Sequence, residues 1–273
     1  MKTWFITGAS SGLGRIMTEK LLARGDSVIA TLRRPDALAD LTDQYGAQLS
    51  LIALDVTDTP SIRAAIGQAF AAGRVDVIVS NAGYGLFGPA EELSDDAIER
   101  QIATNLIGSI QLIRAALAPL RAQGGGRIVQ VSSEGGQIAY PGFSAYHATK
   151  WGIEGFVEAV RQEVAGFGID FILAEPGPTR TNFGAALDLA EPSAVYAGTP
   201  VDTVLRAFTD GSFELRGDAG RTVDAMIAAA DSDSPPLRLT LGSTAFASIG
   251  HALDERAAAL RGQRDVAYGA DVD

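Results

Sequence analysis

The densest chemistry in the chain is a phenol and an ammonium placed one helical turn apart. Tyr146-His147-Ala148-Thr149-Lys150 opens an amphipathic stretch, so Tyr146 and Lys150 share one helical face. A phenol with an ordinary pKa near 10 is too weak an acid to trade protons freely at neutrality. A cation beside it stabilises the phenolate and lowers that value, which suits proton exchange with a substrate oxygen. Upstream, Arg127-Ile128-Val129-Gln130-Val131-Ser132-Ser133 is an apolar run ending in two serines. Adjacent strand residues face opposite sides, so one of the two hydroxyls points into a site. Asn105 lies among Ile98, Ile102, Leu106, Ile107 and Ile110 in a helical pattern. An amide there is costly unless it is hydrogen-bonded, and a local rule broken inside an element marks a functional position.

A second constellation sits at the start of the chain. Thr7-Gly8-Ala9-Ser10-Ser11-Gly12-Leu13-Gly14 joins a short apolar strand to a helix. Glycines allow the tight turn and let the backbone approach a pyrophosphate, and the helix N-terminus turns its N–H groups toward that anion. Gly8, Ser10, Ser11, Gly12, Leu13 and Gly14 are therefore candidate cofactor contacts. In dinucleotide folds an acid about 20 residues further on holds the ribose 2′-hydroxyl. Here Arg33 and Arg34 stand at that strand end instead. Two guanidiniums suit a 2′-phosphate, so the expected cofactor is NADP(H) rather than NAD(H).

These groups need a frame. Short apolar runs at 3–7, 27–32, 49–54, 75–80, 127–132, 170–174 and 237–241 read as strands, most of them apolar throughout, as in a parallel sheet buried on both faces. Helical patterns at 12–24, 59–72, 95–121, 145–166, 219–230 and 244–260 separate them. The alternation predicts a single α/β domain: a Rossmann-like, doubly wound parallel sheet of about seven strands with helices on both faces. Residues 184–217, rich in Ala, Asp, Pro and Gly, read as an irregular insertion of the kind that forms a substrate lid. The tail at 265–273 is expected to fray.

Composition narrows the classes of function. The 273 residues are 47% hydrophobic and 20% charged, enough for one large core. With no cysteine and two histidines, disulfides and thiolate or multi-histidine metal sites are not expected. A formal charge of −11 makes nucleic acid a poor partner. No uncharged apolar run of about 18 residues occurs, so neither a membrane span nor a membrane partner is expected, and the reading is of a cytoplasmic protein.

T-G-x-x-x-G-x-G, N-A-G, N-x-x-G, a strand-end serine, Y-x-x-x-K and P-G-x-x-x-T follow one another in this order. The set resembles the short-chain dehydrogenase/reductase family over roughly residues 3 to 181. Ala30–Arg33, 73–77, 81–89 and the Pro-Gly stretch resemble its branch of 17β-hydroxysteroid and retinol-type dehydrogenases. The resemblance implies hydride transfer between a nicotinamide and a carbonyl or secondary alcohol. It implies a catalytic set of Asn105, Ser133, Tyr146 and Lys150, with Ser133 chosen over Ser132 by its interval to Tyr146. It implies that Asp55 and Val56 meet the adenine, that Asn81, Ala82 and Gly83 touch the cofactor, and that Pro176, Gly177, Thr179 and Thr181 border the nicotinamide. Asn105 would hold a water against Lys150. Gln137, Phe143, Phe183, Tyr196 and Phe208 are candidate pocket residues for a hydrophobic small molecule. Members pair commonly through the helix carrying the tyrosine, which implies a homodimer or homotetramer, with Trp151, Gly152 and Gly155 allowing close packing. The alternative class is a non-catalytic NADP-binding regulator of the same fold. A sugar-nucleotide epimerase is disfavoured because its usual T-G-x-x-G-x-x-G is absent.

Overall fold

The protein is described by a computed structural model covering residues 1–190 and 193–272. Seven parallel strands form the main sheet: β1 (Thr3–Thr7), β2 (Ser27–Leu32), β3 (Leu49–Ala53), β4 (Val77–Ser80), β5 (Gly126–Val131), β6 (Ile169–Pro176) and β7 (Arg238–Leu241). Their order across the sheet is 7-6-5-4-1-2-3. The chain reverses its direction of winding between β1 and β4, the place where such sheets open a crevice at the carboxyl ends of their strands.

Strand periodicity divides the core in two. Trp4 and Ile6 face one side and pack with Met17, Leu21, Val223 and Met226 from helices α1 (Gly12–Ala23) and α8 (Ala219–Asp231). Phe5, between them, faces the other side with Ile62, Leu112, Ile113, Ile153 and Val157. That layer comes from α3 (Thr59–Ala72), α5 (Gly108–Ala122) and α6 (Ser144–Glu163). Both faces being covered explains why the strands are apolar throughout rather than alternating.

Several elements differ from expectation. The single helix expected at 95–121 is α4 (Asp95–Ile102), a wide π-helical turn (Ala103–Ile107) and then α5. This stretch, Asp95–Ala122, tolerates a few charges and is the one helix among the described residues long and apolar enough to cross a membrane; its α5 part buries Leu112, Ile113, Ala116 and Leu120 against the sheet. A short helix α2 (Ala39–Tyr45) was not expected. Residues 184–217 are not wholly irregular, because α7 (Pro200–Thr209) lies within them. Thr199 caps it, its hydroxyl accepting from Asp202 N, and Pro200 supplies a first-turn residue with no N–H to satisfy. After α9 (Ser243–Gly262), the tail forms a short exposed helix, α10 (Arg264–Tyr268), rather than fraying from 265 onward. On the face expected for self-association, Gly152 is packed against Leu106, whereas Gly155 is open and Trp151 is half exposed.

Candidate active site

A cleft of roughly 1120 Å³ runs along the carboxyl ends of the strands. At one end lies the glycine turn. Gly8 and Gly12 have φ of 67° and 54°, a region that penalises any side chain. Thr7 and Asn81 lock the turn to β4: Asn81 N and Ala82 N donate to Thr7 Oγ1 at 2.9 and 3.1 Å, and Asn81 Nδ2 donates to the Thr7 and Gly8 carbonyls at 2.9 and 3.2 Å. The N-A-G motif thus fixes the loop as well as lining the cleft through Asn81, Ala82 and Gly83. Gly8, Ser10, Ser11, Gly12 and Leu13 line it too. A Cβ on Gly12 would meet nothing within 4 Å, so the open space there admits a ligand close to the backbone. The Ser11 side chain does not cap α1, which leaves the first-turn N–H groups for an anion. Gly14 is the exception: it lies under the turn, where a Cβ would overlap the Gly8 carbonyl, and serves helix–strand packing rather than the cleft.

Further along, Arg33, Asp55 and Val56 line the cleft. Arg34 does not; it begins a short 3-10 turn, Pro35–Leu38, outside it. Asp55 Oδ1 accepts from Thr57 N at 2.9 Å and Thr57 Oγ1 at 2.7 Å. Those bonds, together with the Arg33 charge, hold its carboxyl below the ordinary range. The glycine turn, the uncapped helix and the arginine therefore suit a dinucleotide carrying an extra phosphate.

The middle of the cleft collects Ser133, Tyr146 and Lys150. Ser133 lies two residues past β5 and caps the following 3-10 turn, its hydroxyl accepting from Gly135 N at 3.1 Å and meeting the Tyr146 phenol. Ser132, its neighbour, donates to Glu154 Oε1 at 2.5 Å, so its hydroxyl is spent away from the phenol. Burial pushes Tyr146 up to about 12, opposed by the Ser133 hydroxyl and reinforced by the Glu134 carboxylate. This differs from the lowering expected of a nearby lysine. The Lys150 amine stands 5.6 Å from the phenol ring centroid and donates to the Val131 carbonyl at 3.0 Å. Burial pulls Lys150 itself down to about 8, against the attraction of Glu154.

Asn105 is 2% exposed and sits in the π-helical turn, outside the lining of the cleft. Its side chain is bonded to one peptide: Oδ1 accepts from Tyr84 N at 3.1 Å and Nδ2 donates to Tyr84 O at 2.8 Å. The amide pins the loop after N-A-G.

The far end of the cleft is aromatic. Phe143, Phe183 and Phe208 line it, with Tyr140 and Phe213, which the sequence did not single out. Phe143 makes edge contacts with Tyr146 and Phe208, and Phe208 stacks on Phe213 at 4.1 Å. Pro176, Gly177, Thr179 and Thr181 form the adjoining edge. Two expected pocket residues lie elsewhere. Gln137 is turned inward, its Nε2 donating to the buried Glu175 at 2.7 Å. Tyr196 is on the outer surface, its hydroxyl donating to Glu91 at 2.6 Å. Aromatic character alone did not distinguish a wall from an outer face.

Glu134, 2% exposed, was also missed. It accepts from Tyr140 Oη at 2.6 Å and from Ser248 Oγ, on α9, at 2.9 Å. Arg256 of the same helix donates to the Gln137 carbonyl at 2.7 Å and stacks over Trp151. Helix α9 thereby braces the loop that follows Ser133. Among the described residues no cluster of three or more His, Asp or Glu side chains is arranged to hold a metal ion.

The short chain dehydrogenase family profile matches residues 2–192. The oxidoreductase BOA17 of Botryotinia fuckeliana is 37% identical over 256 residues, covering 93% of each chain. Human 17-beta-hydroxysteroid dehydrogenase type 1 is 34% identical over 212 residues, 74% of this chain and 64% of that one. A short-chain dehydrogenase structure from Streptomyces avermitilis superimposes with a TM-score of 0.91 at 39% identity, over 99% of this chain and 100% of that one. A serine dehydrogenase solved with NADP+ superimposes with a TM-score of 0.73 at 26% identity, over 88% and 94%. Sequence motifs, sheet order and these relatives agree, and the chain belongs to the short-chain dehydrogenase/reductase family of oxidoreductases.

Proposed function

We propose that the protein is an NADP(H)-dependent oxidoreductase that interconverts a hydrophobic carbonyl compound and its secondary alcohol. The observation that carries this reading is the meeting of Ser133, Tyr146 and Lys150 on one wall of a cleft whose two ends differ: a glycine turn with Arg33 at one, aromatic rings at the other. Gly8, Ser10, Ser11, Gly12 and Leu13 would hold the pyrophosphate, Arg33 the 2′-phosphate, Asp55 and Val56 the adenine, and Asn81 to Gly83 with Pro176, Gly177, Thr179 and Thr181 the nicotinamide half. Bound there, NADP(H) supplies or accepts the hydride.

The protein's own groups do the remaining work. Ser133 donates a hydrogen bond to the substrate oxygen and stabilises the charge that grows on it. Tyr146, kept protonated by burial, donates the proton in the reducing direction. Lys150 holds the ribose hydroxyls and offsets negative charge on the phenol. Phe143, Phe183, Phe208 and Phe213 exclude water and accept the apolar body of the substrate. Residues 184–217 act as the lid over it: Val201, Val204, Leu205 and Phe208 of α7 pack toward Phe87, Phe143 and Tyr146.

The test is NADPH oxidation across a panel of aryl and alkyl ketones, with Tyr146→Phe as control. The wild type turns over, and the variant loses about 10²–10⁴-fold in kcat while binding NADPH normally. A Tyr146→Phe protein with wild-type rates overturns the assignment.

A further inference from the structure

Behind the catalytic wall lies a buried polar chain that the reaction as described does not use. Ser132 donates to Glu154 Oε1, and Arg238 Nη1 donates to Glu154 Oε2 at 2.5 Å and to Glu175 Oε1 at 2.7 Å. Arg238 Nη2 reaches Glu158 at 3.2 Å. The Glu154 and Glu175 side chains are 4% and 0% exposed. Burying two carboxylates is costly unless each is paired and hydrogen-bonded, and a single guanidinium serves both.

The placement of Glu154 is informative. It stands one turn beyond Lys150 on α6, and its carboxylate bonds the residue directly before Ser133. Gly136, in the turn after Ser133, has no room for a side chain because a Cβ there would overlap the Glu154 carboxylate. One acid therefore touches the strand end on both sides of the catalytic serine and also lies beside the catalytic lysine. The titratable and charged groups facing Lys150 are Tyr146 and Glu154 from its own helix; β5 presents the Val131 carbonyl and the residue after it is Ser132, while Arg238 and Glu175 stand behind Glu154.

We propose that Glu154 is a positioning residue of the reaction, aiming Ser133 into the cleft through its bond to Ser132 and supplying the anion that keeps Lys150 an ammonium. Ser132, conversely, is the tether and not a second proton donor. This rests on the roles assigned above to Ser133 and Lys150. Burial alone drives Lys150 toward the neutral amine near physiological pH, and Glu154 is the one carboxylate opposing it. Losing that anion without altering the shape shifts the lysine toward deprotonation.

The experiment measures kcat and KM for NADPH-dependent reduction of an aryl ketone such as acetophenone from about pH 6 to 10, alongside thermal unfolding. In Glu154→Gln the alkaline limb of kcat moves down by about one pH unit, a roughly tenfold loss on that limb. Glu154→Asp restores part of it. Ser132→Ala lowers kcat several-fold at all pH values, with the limb unmoved and ketone KM nearly constant. If Glu154→Gln unfolds, Ser132→Ala decides: full kcat in that variant overturns the tether. A wild-type enzyme that turns over, with a Glu154→Gln profile superimposed on it, overturns the proposal alone. A wild type without turnover on any ketone removes the parent reading and this one with it.

Discussion

Replacing Lys150 by methionine should stabilise the protein while abolishing its activity. An ordinary lysine titrates near 10.5, and burial takes Lys150 down to about 8 with the attraction of Glu154 already included. At about 1.36 kcal/mol per pKa unit, that gap is a penalty of about 3 kcal/mol on the folded, charged lysine. The folded value lies below the unfolded one. The penalty is therefore complete below about pH 8, shrinks between about pH 8 and 10.5, and vanishes once both states are neutral. Methionine keeps most of the apolar stem but gives up the amine's bond to the Val131 carbonyl, worth about 1 kcal/mol. The net gain is about 2 kcal/mol near pH 7, or roughly 4–8 °C in Tm for a chain of this size. Thermal unfolding of both proteins without cofactor, near pH 7 and again near pH 10, measures it. A variant less stable than wild type near neutrality, or a difference that fails to narrow with rising pH, refutes the burial penalty.

Four other substitutions test the cleft and its supports. Arg33→Ala should raise KM for NADPH by about 10–100-fold and leave NADH within a factor of about two, since one charge-assisted contact is worth about 1.5–3 kcal/mol; Arg34→Ala, outside the cleft, should change neither, and steady-state kinetics with both cofactors decides. Gly14→Ala should destabilise by about 1–3 kcal/mol and weaken NADPH binding, because the added methyl displaces the Gly8 carbonyl; unfolding and NADPH fluorescence titration check both. Phe208→Ala should raise KM for apolar ketones by about tenfold with little change in KM for NADPH, as its ring stacks on Phe213 and packs on Phe143 at the end of the cleft remote from Arg33.

The sheet was readable from sequence because its strands are buried on both faces, which leaves short, wholly apolar runs between amphipathic helices. That Ser133, Tyr146 and Lys150 line one cleft was readable from their spacings: Tyr146 and Lys150 on one helical face, Ser133 just past a strand end. What escaped depends on contacts distant in sequence. Gln137 and Tyr196 carry plausible side chains but are claimed by Glu175 and Glu91. Asn105 stood out correctly as an anomaly, yet its partner, the Tyr84 peptide, is 21 residues away. Arg34 could not be separated from Arg33 by type; only the turn beginning at Pro35 puts them on different sides. Helix α7 was hidden by its Pro- and Gly-rich surroundings, although Thr199-Pro200 is a recognisable start.

The brace supplied by α9 has a consequence for how the protein comes into being. Ser248 and Arg256 reach back 114 and 119 residues to secure Glu134 and the Gln137 carbonyl. A nascent chain that has emerged only as far as the Tyr146 helix already carries Ser133, Tyr146 and Lys150, yet the loop after Ser133 has nothing to lean on. Catalytic competence should therefore arrive late in synthesis, with the last long helix. Trimming that helix should silence the enzyme before it unfolds the sheet.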